Sequence, residues 1–598
     1  MVTICAMTAT IMQALDTTIA NVALPYMQGT LSASQDQINW VLTSYIVAAA
    51  IMTAPVGWIA NRFGRKRIFI ICSAGFTMAS VLCGLAQDIN QMVLFRLLQG
   101  VFGAALVPLS QSVMLDYYTL QERAKAMSIW GMGVMMGPIM GPSLGAWLTE
   151  TYSWHWVFFV NLPFGAITVL GLIVFMDETR KDLSLKFDWF GFAALAIAIG
   201  ALQLALDRGE QLGWLESNEI LAEFIVSAVA FYFFLAHSFT TSTPFIRFAL
   251  FRDRNFVTGC VFMIVMGLVL FSTMALASPY MQNVIGYPII TAGLLLASRG
   301  IGTFFAMMLV GRMMRYFEAR TLIISGLTLT AGSLFQMTGW TDLTQVPEIV
   351  TVSVIQGFGF GLVFVPLSTV AFLTLSNELR TDGTAMLTLV RNVASSVGIS
   401  VVIAELTQGT RRTYAILSEH VNPFNHALQM PSVSGMINLS TDVGRAMADR
   451  MVSVQAQIIA FAHDYQLVMV FILCTIPLAF LIGSTKATLR KQAAGAGARG
   501  DGVGSTSRDL VSRARCSAQR CAAEPGHMLL SDLCPGSAAH HDVLRCVRGT
   551  RDHPNSSSQP KSSTAANTRS RLFHQITGGM SMLHCQTGLV ICQSTAQR

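Results

Sequence analysis

The sequence predicts an all-α integral membrane protein with fourteen transmembrane helices, arranged as two parallel six-helix bundles with two helices inserted between them. Three observations carry this expectation. Charged residues make up 12% of the chain and hydrophobic ones 53%, whereas a soluble domain carries roughly 25% charged residues, so most of this surface has to meet lipid. Fourteen apolar runs approach the ~20 residues that cross a bilayer as a helix. The first and last groups of six runs also share short motifs at a nearly constant offset.

In chain order the runs lie near 2–24, 38–59, 68–86, 92–114, 125–148, 155–176, 188–206, 219–238, 256–280, 290–310, 321–338, 349–373, 383–406 and 466–483. Alternate short loops are basic: Arg62, Arg65, Lys66 and Arg67; Arg123 and Lys125; Arg180, Lys181 and Lys186; Arg247, Arg252 and Arg254; Arg312, Arg315 and Arg320; then Arg380. The loops between them offer Arg208. The positive-inside rule therefore places the basic loops, and with an even span count both termini, in the cytoplasm. The first run lacks a basic leader and contains Asp16, so it reads as a retained span. The basic residues between apolar runs cluster in these short loops, where topology explains them, so despite the net charge of +7 the lipid bilayer is the expected partner and nucleic acid is given no role. Cys5, Cys72, Cys83, Cys260 and Cys474 fall in apolar runs, and the cysteine spacing suggests neither a metal site nor a disulfide framework.

The repeat is seen in four places. Pro25-Tyr26-Met27-Gln28 recurs as Pro279-Tyr280-Met281-Gln282, and Gly57 as Gly311, both 254 residues on. Leu98-Gln99-Gly100 is echoed by Ile355-Gln356-Gly357, and Val107-Pro108-Leu109-Ser110 by Val365-Pro366-Leu367-Ser368, 257 and 258 residues on. Each match pairs a span with the one eight later, so the two units point the same way across the membrane. The expected domains are a first bundle over 1–180, two inserted helices over 181–245, a second bundle over 246–490 with a long outer loop at 407–465, and a tail over 491–598. Parallel repeats of this kind place a transport site at their interface near the midplane.

Intramembrane charges mark the chemistry. Asp16 lies inside the first run, where an ionised carboxylate costs at least ~2.5 kcal/mol, so it should face a partner or a path. In span four, Arg96, Gln99, Gly100 and Gly103 share one helical face, which should point inward. Arg391 is deep in span thirteen, with structural pairing and cavity lining both open. Glu223, Glu405 and Arg299 are read as outside proton coupling, with Glu223 and Arg299 reaching outward, and His155 as an interfacial anchor between tryptophans. Span five carries Gly133, Gly137, Gly141 and Gly145 every fourth residue beside Pro138 and Pro142, a spacing that lets helices approach closely. Polar and aromatic groups within apolar runs, Trp40, Tyr45, Gln99 and Gln356, are candidates to line a substrate cavity, with Arg391 beside them. No nucleophile elbow, phosphate loop or metal-spaced cluster appears, so no enzyme activity and no cofactor is expected.

The loop Gly57-Trp58-Ile59-Ala60-Asn61-Arg62-Phe63-Gly64-Arg65-Lys66-Arg67 resembles the signature of the major facilitator superfamily, in which this segment latches the halves on the cytoplasmic side. The family pattern has Asp where this chain has Asn61, and Gly57, Arg62, Gly64 and Arg65 keep the framework. The span-four face is similar to the superfamily motif whose arginine is associated with proton transfer, which implies that role for Arg96. Gly137-Pro138-Ile139-Met140-Gly141-Pro142 is similar to the antiporter signature of its drug exporters. Leu15-Asp16-Thr17-Thr18-Ile19-Ala20-Asn21, Trp154 to Gly165 and Leu202 to Gly209 resemble the fourteen-helix drug:proton antiporters of the EmrB/QacA type, and Val421-Asn422-Pro423-Phe424-Asn425 the EmrB branch.

The resemblance covers about residues 1–490. It implies an inner-membrane exporter of lipophilic compounds that works with a periplasmic membrane-fusion adaptor and an outer-membrane channel and is driven by the proton gradient. Asp16 is the expected proton carrier. An exporter of one metabolite, such as a fatty acid, siderophore or amino acid, would share these motifs, and a transport-inactive receptor is a third reading. Beyond residue 500 the chain turns to Gly, Ser, Ala and Arg without periodicity, and is expected to be disordered or a reading-frame artefact; Met1 is expected to be internal to the true start.

Overall fold

The computed structural model describes residues 1–482 apart from 120–121, 180, 423, 426–429 and 431–437, so the expectations for Arg180, Pro423 and the 491–598 tail lie outside the described residues. The side chains of Gln35, Asp36, Pro138, Asn377 and Leu481 do too. Among the described residues the regular structure is helical.

The first bundle comprises α1 (Val2–Thr30), α2 (Gln35–Thr53), α3 (Val56–Phe63), α4 (Arg65–Gly84), α5 (Ile89–Gly103), α6 (Leu106–Tyr117), α7 (Arg123–Thr151), α8 (Trp156–Phe159) and α9 (Asn161–Phe175). Predicted span two is the pair α2 and α3, bent by 56° at Ala54 and Pro55, where the proline ring removes a ladder bond. Span four is interrupted between α5 and α6, upstream of Pro108, which cannot donate to Ala104, but without a comparable bend, so Ile89–Tyr117 still crosses as one span. The inserted pair is α10 (Trp189–Leu212) and α11 (Asn218–Thr240), with Gly213 at φ +82 ending α10 in the left-handed region that glycine adopts freely. The second bundle comprises α12 (Arg254–Pro279), α13 (Ile289–Tyr316), α14 (Ala319–Met337), α15 (Val346–Ala371), α16 (Arg380–Glu419) and α17 (Asp442–Thr475).

Among the described residues eleven helices are long and apolar enough to cross a membrane, or twelve with the bent α2 and α3 pair counted as one span. The remaining two predicted spans fall on α7 and α14, where glycine, serine and threonine dilute the apolar character, so fourteen is compatible with the fold. The clear departure is at 407–465. Much of this predicted loop is helix: α16 has 40 residues and α17 has 34, about 60 and 50 Å at ~1.5 Å per residue, against a hydrocarbon core of ~30 Å. Both helices therefore continue beyond the bilayer, where Tyr414 of α16 donates to Asp449 of α17.

The glycine stripe of α7 seats α1. A Cβ at Gly137 would fall 2.6 Å from Ala14 Cβ, and at Gly141 or Gly145 2.8 Å from Thr18 Cβ or Ile19 Cγ1. Thr18 Oγ1 adds a hydrogen bond to Gly137 O at 3.1 Å. The other side of α7 runs along α13, with Ile139 on Gly300 and Pro142 on Gly293, and Trp130 stacks on Phe364 of α15 at 6.0 Å. Helix α7 thus joins the Asp16 helix to the second bundle.

Candidate functional site

Asp16 sits halfway along α1 with no solvent exposure, facing α5 and α9 within the first bundle. Arg96 Nη1 meets its Oδ2 at 2.8 Å, Gln99 Nε2 donates to its Oδ1 at 2.8 Å, and Asn161 Nδ2 donates to the same oxygen at 2.9 Å. The spacing of Arg96 and Gln99, three apart on α5, lets one helix face supply two donors, and Arg96 Nη1 also reaches Gln99 Oε1 at 2.7 Å. Arg96 Nε donates to Val41 O at 3.1 Å, and its guanidinium lies 4.4 Å from the Tyr45 ring centroid. Asn161 is anchored by Ser80 Oγ at 3.0 Å. Arg96, Gln99 and Asn161 are likewise fully buried. Arg96 Nη2 and Asn161 Oδ1 have no hydrogen-bond partner, so the cluster holds one spare donor and one spare acceptor beside the carboxylate.

Two expected cavity residues, Tyr45 and Gln99, therefore belong to the Asp16 cluster. Trp40 does not: it is partly exposed, 5.6 Å from the Arg208 guanidinium. Gln356 is buried in the second bundle with Met337 Sδ 3.9 Å from its Nε2, and half-buried Arg391 donates to Asn392 Oδ1 at 3.3 Å. Among the described residues, Trp40, Gln356 and Arg391 share no hydrogen bond or ring contact with the Asp16 cluster. Arg299 does not reach outward; it is buried and donates to Thr273 Oγ1 at 3.1 Å. Asn161 was missed because an uncharged amide near a span end gives no signal of its own.

The side carrying the basic loops is closed by a second constellation. Gly57 lets α3 approach α16 so closely that a Cβ there would fall 2.8 Å from Asp382 Cα. Asn61 Nδ2 donates to Asp382 Oδ1 at 3.1 Å, and Arg247 Nε lies 3.5 Å from Asp382 Oδ2. Gly64, at φ +97, turns the chain from α3 into α4, which aims Arg65 at Asp116. Arg380 of the second bundle meets the other Asp116 oxygen at 2.9 Å. Arg62 donates to the carbonyls of Leu183 and Leu185. The carboxylate absent at position 61 is thus supplied by α16, a substitution that no local motif reveals. Burial, with Arg380 nearby, pushes the Arg123 guanidinium down to about 10. A cavity of about 680 Å³ opens beside the latch, lined among others by Trp58, Asp182, Lys186, Asp188, Arg247 and Asp382. Hydrogen bonds from Ser184, helped by Arg247 and Arg62, hold the Asp182 carboxyl below the usual carboxylate range.

A buried carboxylate salt-bridged across two helices of one bundle, with a charged latch joining the two bundles, is the kind of arrangement a membrane transporter uses. Residues 6–399 match the Major Facilitator Superfamily, and the chain belongs to that family. Within it the match is of the EmrB type: the chain is 35% identical over 424 residues to the multidrug export protein EmrB of Escherichia coli (strain K12), covering 70% of this chain and 82% of that protein. It is 32% identical to the fatty acid resistance protein FarB of Neisseria gonorrhoeae over 70% of this chain and 83% of FarB. The solved structure of the proton:xylose symporter XylE shares the fold at a TM-score of 0.50 and 13% identity, covering 80% of this chain and 95% of that one.

Proposed function

We propose that the protein exports lipophilic compounds across the inner membrane in exchange for protons, and that Asp16 carries the proton. The observation that supports this most directly is the sealed Asp16 site, where Arg96, Gln99 and Asn161 converge on one buried carboxylate. Hydrogen bonds to a charged group contribute about 1.5–3 kcal/mol each. Protonation of Asp16 removes the charge that holds Arg96 and forces the site to rearrange. The displacement passes through the α1 and α7 glycine contact and from α7 to α13, tilting one bundle against the other.

The basic loops mark the cytoplasmic face, and with it both termini. With the latch closed there, the substrate path opens toward the periplasm, where the compound leaves and Asp16 takes up its proton. The return stroke opens the latch, frees the proton to the cytoplasm and admits the next molecule. EmrB-type likeness supports a periplasmic membrane-fusion adaptor and an outer-membrane channel as partners, making the chain the inner component of a tripartite pump. The test is export of a fluorescent lipophilic cation by purified protein in liposomes under an imposed pH difference. Gradient-dependent export that Asp16→Asn abolishes is expected, and export indifferent to the gradient would refute the coupling.

A further inference from the structure

The second bundle holds a buried carboxyl that the scheme above does not use. Asp464 of α17 is 1% exposed, and its Oδ2 has no hydrogen-bond partner. Its setting follows from the helix seam beside it. Gly409 of α16 lies against Ala460 of α17, 3.5 Å from a Cβ built on the glycine to Ala460 Cβ. The two helices are antiparallel, so one turn toward the membrane from each brings Glu405 level with Asp464.

Glu405 is the neighbouring charge that acts on Asp464. On the same helix, His463 is exposed and Tyr465 is fully buried with its hydroxyl unpartnered. Arg299 of α13 and Tyr280, just past α12, lie near Tyr465. The charged residue of α14, Arg320, is at the opposite end, bonded to Ile482 O at 2.6 Å, and Arg254 likewise starts α12 on that side. No cation therefore pairs with Asp464 among the described residues. Glu405 is 25 residues into α16, ~37 Å from the basic side at ~1.5 Å per residue. That places the two carboxyls near the far boundary of a ~30 Å hydrocarbon layer.

We propose that Asp464 is a second proton-binding carboxyl, loaded from the side opposite the basic loops and sharing its proton with Glu405. An ionised carboxylate in a buried site lacking a donor is costly, and the charge of Glu405, itself exposed on α16, adds repulsion; a proton taken up by Asp464 relieves both. The step breaks an O–H bond of a hydronium ion on the side opposite the basic loops and forms one on an Asp464 carboxyl oxygen, leaving water and removing one negative charge, and transfer back to water through Glu405 reverses it. The proposal rests on the coupled-export reading for the use made of the proton, and not for its binding.

Infrared difference spectroscopy of the purified full-length protein in nanodiscs, titrated from about pH 5 to about pH 9, tests it. The parent is expected to show a titrating protonated-carboxyl stretch that Asp464→Asn lacks and Asp16→Asn retains. Glu405→Gln should keep the band with a changed frequency and midpoint, which reads the site even where Asp464→Asn fails to fold. A parent spectrum that Asp464→Asn leaves unchanged, or a Glu405→Gln titration superimposable on the parent's, would overturn the proposal. Export indifferent to the gradient with this band intact would refute coupling while leaving the site; loss of the band assignment with coupled export intact would do the reverse.

Discussion

Replacing Asn61 with aspartate restores the superfamily's consensus at that position, and pattern alone would expect a stronger latch. The structure predicts a weaker one. Asn61 Nδ2 donates to Asp382 Oδ1 at 3.1 Å, so Asn61→Asp sets two carboxylates face to face. It loses a hydrogen bond to a charged acceptor, about 1.5–3 kcal/mol, and adds like-charge repulsion of order 5 kcal/mol at ~3 Å and an effective dielectric near ~20 until the side chains rotate apart. Taking only the lost bond, the ratio of closed to open latch falls about tenfold to about 150-fold, at ~1.4 kcal/mol per decade. Amide hydrogen exchange of Val56–Phe63 and of the first turns of α16 should lose protection by that factor. The double variant Asn61→Asp, Asp382→Asn puts the donor on the other side and should recover most of the loss. Parent-like exchange in Asn61→Asp, or no recovery in the double variant, would refute the pairing.

Asp16→Ala strands the Arg96 cation without its partner and should cost about 3–5 kcal/mol in unfolding experiments in detergent, whereas adding Arg96→Met should recover much of it because neither charge is then left buried; equal losses in the single and double variants would count against the ion pair. Gly141→Ala places a methyl 2.8 Å from Thr18 Cβ and should lower stability by about 1–3 kcal/mol through overpacking, while a Tm equal to the parent's would show that α1 and α7 are not in close contact. Asp182 has a folded pKa held below its ordinary value by Ser184, so its contribution is present above the ordinary aspartate range and lost as pH falls through the lowered value. Protection of the Ser184 amide, corrected for intrinsic rate, should therefore hold from about pH 8 to about pH 5 and vanish only at more acid pH; loss near about pH 6 would contradict it.

The glycine stripe of α7 shows how far the sequence could be read. The four-residue spacing announces a close helix approach, but not that α1 is the helix approached, because the spacing is a property of one chain segment and the partner is not. Arg96 and Gln99 were legible as one face by helical period, and Asp16 as a group that had to face inward by its cost in hydrocarbon. Their meeting, with Asn161 as a further donor, depended on α1, α5 and α9 packing around one point. Trp40 illustrates the opposite case: an aromatic in an apolar run satisfies the pattern for a cavity wall as well as for a partly exposed ring beside Arg208. Asp464 was hidden by the assignment of its surroundings to an outer loop, when α17 in fact runs unbroken from Asp442.

By itself the sequence determined that the chain is a helical membrane protein with two matched halves, because hydropathy, loop charge and internal repetition are read one segment at a time. Tertiary structure alone decided that the latch carboxylate comes from Asp382, that Asp116 bridges Arg65 and Arg380, and that Asp464 lies beside Glu405. Each of those pairs joins groups from different helices, brought together by side-chain packing, which neither span length nor composition records.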